Sequence, residues 1–252
     1  MKDEEELIYK RLAELSRKSE DGGYFTFTDF LGLSEQSVFA VLTAKERGIR
    51  YTAFGGAEGC ERIMLRFGDA DEMGYEIPFP IRLIKAEPKS AKYADALTHR
   101  DFLGAILNLG IERSTVGDIL IRDSVGYIFV KDEIAEYVKE SLTKVKHTDM
   151  VTSFIDELPE GAFFKTERMR ILLSGERIDA AVAKVFSLSR EDAQALMKRG
   201  LVYVNGRVCE SNSYTPKSGD TISARGHGRF IYRGVSGSSR KGKLSVEIDL
   251  YV

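Results

Sequence analysis

Two cysteines in 252 residues, Cys60 and Cys209, have no Cys-x-x-Cys spacing and no matching histidine pair. Structural zinc is therefore not expected, and a reduced compartment is the simple expectation. No run approaches the roughly 18 apolar residues that a membrane span needs, and the opening Met-Lys-Asp-Glu-Glu-Glu has no apolar signal core. The expectation is a cytoplasmic protein with no membrane partner. Marks of nucleotide chemistry are missing too. The cluster Gly55-Gly56-Ala57-Glu58-Gly59 lacks the Lys-Ser/Thr of a P-loop and leads into no obvious helix, so it reads as a turn. His99-Arg100-Asp101 matches a kinase triplet, but Asn108 lies seven residues past Asp101 rather than five. Neither Asp-Phe-Gly nor a glycine-rich ATP loop accompanies it, and His99 reads as a helix-start residue. No dinucleotide-style glycine fingerprint occurs, and no Ser/His/Asp or carboxylate pair can be assembled. No catalytic residue, metal or cofactor is expected.

What is present is charge, unevenly spread. Residues 161 to 252 hold 16 Lys/Arg and 9 Asp/Glu, while residues 1 to 160 hold 21 and 30, although the whole chain is nearly neutral at −2. A basic end on an acidic body points to nucleic acid as partner.

Residues 3 to 18 read as a helix with Ile8, Leu12 and Leu15 inward, acids in its first turn, Arg17-Lys18 in its last and Asp21-Gly-Gly as its break. Ser34 is the expected cap of a second helix with Val38, Val41 and Leu42 inward. Strands follow at 49–54 and 62–67. The middle has a β-α-β-β-α-β rhythm: strand 81–86, a helix near 99–109 with Phe102, Leu103, Ile106 and Leu107 inward, strands 117–122 and 127–131, a helix marked by Ile134, Val138, Leu142 and Val145, and strand 150–154. That order suggests a ferredoxin-like split βαβ, the architecture of RNA-recognition motifs. Tyr127 and Phe129 share a strand face, with core packing favoured over base stacking. The expected organisation is α+β, with an N-terminal α/β domain at 1–73, the ferredoxin-like domain at 74–155, a linker at 156–168 and a C-terminal domain at 169–252.

The C-terminal stretch is the most informative. A helix at 177–186 puts Ile178, Val182, Val185 and Phe186 on one face and Arg177 and Lys184 on another. Ser189 is a good N-cap for a second helix that buries Ala193, Leu196 and Met197, lines Arg190, Gln194 and Lys198 along one edge, and ends at Arg199-Gly200. Asn205-Gly206 between Tyr203-Val204 and Arg207-Val208 signals a two-residue hairpin. Two basic rows beside an apolar seam form a cationic groove suited to phosphate. Arg225, Arg229, Arg240, Lys241 and Lys243 extend it.

Arg177-Ile-Asp179, Ser189-Arg190, Gly200-x-Val202-x-Val204-Asn205-Gly206 and Gly219-Asp220-x-Ile222 resemble, in order and spacing, the RNA-binding domain named after ribosomal protein S-four. The resemblance implies structured-RNA binding by two helices and the adjoining strand. The residues implicated are Arg177, Asp179, Lys184, Ser189, Arg190, Lys198, Arg199, Asn205, Arg225 and Arg229, with Asp179 as an orienting or capping carboxylate. Further runs are Phe30-Leu31-x-x-x-Glu35-Gln36, Ala94-x-x-Leu97-Thr98-His99-Arg100-Asp101-Phe102-Leu103-Gly104 and Leu109-Gly110-Ile111-x-Arg113-x-x-x-Gly117-Asp118-Ile119. With them, nearly the whole chain is similar to the bacterial and plastid YlmH family. The Gly55–Gly59 loop departs from it, lacking the Tyr-Pro often found there. The likeness implies a non-catalytic accessory protein of translation. Its partners would be ribosomal RNA, tRNA and the large ribosomal subunit, in ribosome quality control, and it would be a monomer when free. The alternatives are an RNA-modifying enzyme, because S-four domains often accompany pseudouridine synthases, methyltransferases and tyrosyl-tRNA synthetases, although Arg177-Ile-Asp179 lies within the S-four motif itself without a separate catalytic domain, and an interaction scaffold in cell division or photosystem assembly.

Overall fold

The computed structural model describes residues 2–90, 92, 94–160, 163, 166–239 and 242–251. Arg240 and Lys241 lie outside them, as do residues 161, 162, 164 and 165 of the expected linker. The chain forms two compact units, residues 1–163 and 164–252.

The first unit begins with α1 (Lys2–Gly22), which buries Leu12 and Ala13 and carries Glu6–Lys10 and Glu14–Lys18 pairs on its wet side. It outruns the expected end by four residues, and Gly23, at φ +62°, stops it. After β1 (Thr26–Phe27), α2 (Leu33–Lys45) has Gly32 rather than Ser34 as its N-cap, with the Glu35 carboxylate accepting the Gly32 N–H at 2.6 Å. Its core residues are Phe39 and Leu42; Val41 is exposed, contrary to the periodic reading. Phe39 takes the inward position by packing edge-on against Tyr51 and Phe67. β2 (Tyr51–Phe54) and β3 (Met64–Phe67) complete an antiparallel sheet of order β1-β3-β2, and the short α3 (Ala70–Met73) follows. All of β3 is buried: Leu65 and Phe67 face α1 and α2, and Met64 faces away from them.

The same unit continues with β4 (Ile81–Pro88), α4 (His99–Leu107), β5 (Val116–Arg122), β6 (Val125–Lys131), α5 (Asp132–Ser141), β7 (Lys144–Val145) and β8 (Thr148–Ile155). The sheet is antiparallel, of order β5-β6-β4-β8-β7. This is the split βαβ order with one short hairpin strand added. Val145 lies on that strand rather than on the helix, and Leu107 is exposed at the end of α4. Side chains alternate across the sheet. Ile84, Ala86, Ile128 and Val130 face Phe102, Ile106 and Val138 of the helices. Leu83, Tyr127 and Phe129 face the other way and bury against Phe30 and Met64.

Tyr127 and Phe129 are only 4 % and 2 % exposed, so the sheet face that RNA-recognition motifs use for stacking is closed by the chain itself. The Gly55–Gly59 turn is part of that closure. Gly56, at φ +101°, lies so near the Phe129 ring that a Cβ would stand 2.3 Å from it. Glycine there meets a packing need and a backbone need at once.

The second unit runs β9 (Thr166–Leu173), α6 (Ile178–Val185), α7 (Arg190–Lys198), β10 (Val202–Val204), β11 (Arg207–Val208), β12 (Thr221–Ala224), β13 (Gly228–Ser238) and β14 (Leu244–Tyr251). They form one antiparallel sheet of order β11-β10-β12-β13-β14-β9. The helices cover one face, joining Ile178, Val182, Ala193 and Met197 to Ile222, Phe230, Tyr232, Val246 and Ile248. β9 begins at Thr166, within the stretch read from sequence as linker, and pairs along all eight of its residues with β14. The α+β class stands, with both units mixing helices and sheets.

Candidate nucleic-acid interface

α6 and α7 pack as neighbours because each has a narrow apolar stripe of small and branched residues. That leaves their polar edges side by side. Asp179, in the first turn of α6, is fully buried between them. Its carboxylate takes four hydrogen bonds. Arg177 reaches it twice, Nε to Oδ1 at 3.1 Å and Nη2 to Oδ2 at 3.0 Å. Arg190 Nε donates to Oδ2 at 3.2 Å, and Gln194 Nε2 to the same oxygen at 2.9 Å. Burial alone would raise the Asp179 pKa; the donors Gln194, Arg190 and Arg177 outweigh it, and the carboxyl is held below its ordinary range. Asp179 thus stays ionised and fixes two guanidinium groups in place. These are 43 % and 50 % exposed, so their outer N–H groups remain free for an external acceptor.

The arrangement sorts the residues expected from sequence. Arg177, Asp179 and Arg190 converge, with Gln194 as a further donor. Asp179 is fully buried behind these donors, which fits a positioning carboxylate and denies a substrate any approach to it. Lys184 and Arg190, with Lys243, line an open groove of about 500 Å³ that runs past Leu172, Ala183 and Leu188. Ser189 caps α7, accepting the Asp192 N–H at 3.0 Å and donating to the Asp192 carboxylate at 2.6 Å. Lys198 and Arg199 are exposed at the far end of α7, and Arg225 is exposed just past β12, its N–H bound to the Leu201 carbonyl. Asn205, at φ +50°, turns the β10–β11 hairpin together with Gly206, at +77°. Both ends of its amide are engaged: Nδ2 donates to Asp220 Oδ1 at 2.8 Å, and Oδ1 accepts the Thr221 N–H at 2.9 Å.

Arg229 does not join the cluster. Phe230 points into the helix-covered core, so Arg229 points to the opposite sheet face, where its guanidinium lies 4.0 Å from the centre of the Tyr251 ring. Sequence spacing did not reveal the Asp220 hub. Its carboxylate accepts from Tyr214 Oη at 2.9 Å and the Lys217 N–H at 2.8 Å besides Asn205. The Gly219-Asp220 pair was the available signal.

Comparisons with known proteins match two segments of the chain and one relative along nearly all of it. Residues 77–156 match the family described as "Putative RNA-binding domain in YlmH", and residues 176–222 match the S4 domain. Over 260 aligned residues the chain is 28 % identical to "Ribosome-associated protein quality control protein P2" of Bacillus subtilis (strain 168), covering 98 % of this chain and 95 % of that protein. A solved structure, "Cell division protein ylmH from Streptococcus pneumoniae", is similar at 22 % identity with a TM-score of 0.48, covering 60 % of this chain and 91 % of that one.

Proposed function

We propose that this YlmH-type chain, with an S4 domain at its C-terminal end, is a non-catalytic, ribosome-associated RNA-binding protein of the cytoplasm. Its ligands in this reading are the large ribosomal subunit and tRNA, and its setting is ribosome quality control, the role for which the Bacillus relative is named. The observation that carries the reading is the Asp179 clamp. Within the matched S4 segment, one ionised carboxylate holds Arg177 and Arg190 with their outer donors in solvent, beside a groove lined by Lys184 and Lys243. Guanidinium groups held rigid lose little freedom on meeting phosphate, so each contact contributes more than a free side chain would. Nothing in this arrangement activates a nucleophile or holds a reacting atom, which favours binding over catalysis.

Sucrose-gradient sedimentation of lysate tests this. Tagged wild type should travel with large subunits, and an Arg177→Ala/Arg190→Ala variant should stay at the top. Probing the same fractions for tRNA tests the second ligand. Wild type remaining at the top would remove the ribosomal reading.

A further inference from the structure

The middle domain matches an RNA-binding family, yet its stacking face is sealed by Phe30, Met64 and the Gly55–Gly59 turn. Any RNA must meet it elsewhere. On the far side of α4, an open groove of about 540 Å³ lies between that helix and the residues joining α5 to β8. Arg100, Gly104 and Asn108, spaced four apart, form one wall, and Lys144 and Lys146 stand on the other.

Arg100, Lys144 and Lys146 are exposed and make no salt bridge among the described residues. Among the described residues, the one acid lining the groove is Asp101, which also feels the Lys146 charge. Its carboxylate is bound to the Thr98 N–H at 2.9 Å and the Thr98 hydroxyl at 2.7 Å, capping α4. Gly104 is the second observation. Glycine is disfavoured in a helix interior, and a Cβ at Gly104 would meet nothing within 4 Å. No neighbour among the described residues requires it. Its absent side chain leaves bare helix backbone between Arg100 and Asn108, the kind of surface that lets another backbone come close. Lys146 sits at φ +58°, so a turn position suited to glycine carries an ammonium group at the groove's rim instead.

We propose that this groove is a second RNA-contact surface, which takes the sugar–phosphate backbone of a structured RNA over Gly104 with Arg100, Lys144 and Lys146 on its phosphates. The inference rests on the RNA-binding reading above and extends it to the other unit. Charge complementarity selects the occupant: three exposed cations that make no salt bridge among the described residues, set around a bare stretch of helix backbone, suit a polyanion.

The test is filter binding of the full chain to purified large-subunit ribosomal RNA across a salt series. Arg100→Ala/Lys144→Ala/Lys146→Ala should weaken binding roughly tenfold or more and reduce the salt slope by about two to three, near 0.9 per phosphate contact. Gly104→Leu, with open space around it, should keep the melting temperature and still weaken binding severalfold. If Arg177→Ala/Arg190→Ala weakens binding while both groove variants match wild type in affinity and slope, the groove is not an RNA surface. If the groove variants lose only intact subunits and keep naked RNA, its occupant is a protein and the inference falls. If wild type itself retains no RNA, the RNA-binding reading fails, and the groove inference fails with it.

Discussion

Replacing Asp179 with asparagine removes one negative charge from a site that solvent does not reach. Oδ2 accepts from Arg177, Arg190 and Gln194, whereas Oδ1 accepts, among the described residues, from Arg177 Nε alone. The least damaging amide orientation keeps oxygen at the three-donor position and turns NH₂ toward Arg177 Nε, setting donor against donor. One hydrogen bond to a charged group is lost, worth about 1.5–3 kcal/mol, and the other three lose their charge assistance. Water reaching the half-exposed guanidinium groups offsets part of this, leaving a net cost of about 2–4 kcal/mol. For a unit of this size, that lowers the melting temperature by roughly 10–20 °C. Calorimetry of the full chain reads the effect in the transition of the second unit. RNA affinity supplies an opposed test. Asp179→Asn makes the protein more positive by one charge, so simple electrostatics predicts tighter binding. Positioning predicts weaker binding, because Arg177 and Arg190 lose their anchor. A stability change within about 0.5 kcal/mol, together with tighter binding, would refute the clamp.

Gly56→Ala forces a methyl group against the Phe129 ring at a φ of +101°, and urea unfolding should show the first unit destabilised by about 1–3 kcal/mol. Asn205→Ala deletes both side-chain bonds to Asp220 and Thr221, with an expected loss of about 1–2 kcal/mol in the second unit; Asn205→Gly, which tolerates the turn's φ, should destabilise it by a similar bond loss without added strain. The Tyr214 hydroxyl is pushed up to about 12 by burial and by its bond to Asp220. A pKa raised in the folded state means stability that is complete below the unfolded value near 10 and lost as pH rises toward the folded one. An ultraviolet titration of tyrosinate should therefore show a late component near pH 12 that Tyr214→Phe removes.

The C-terminal helices and the Asn205-Gly206 hairpin are legible in sequence because their signals are local: an apolar stripe, a Ser189 cap, a glycine after the last turn. The split βαβ order is legible for the same reason, as period-two and period-3.6 segments alternate. β9 is not. Its Thr-Glu-Arg-Met-Arg start is mostly exposed, and what makes it a strand is β14, which lies more than seventy residues along the chain. Phe39 displaces Val41 from the core of α2 through ring contacts with β2 and β3 that no helical period encodes. At the site, the basic residues stand out as two rows, but their convergence does not. Asp179 meets Arg190 eleven residues on and Gln194 fifteen on, a closure set by how α6 packs on α7.

The closed face of the middle sheet bears on how the protein can be taken apart. Deleting the first 73 residues would strip Phe30 and Met64 from Tyr127, Phe129 and Leu83 and expose an aromatic surface on a twisted sheet. Each large side chain returned to water forfeits about 1.5–3 kcal/mol, and the bared patch would be adhesive. A fragment made that way would acquire the very ring surface that binds single-stranded bases in other proteins. It could take up RNA through a face the intact chain never shows. Roles for the two halves of the first unit are therefore better assigned by single substitutions on the outside of the intact chain than by truncation.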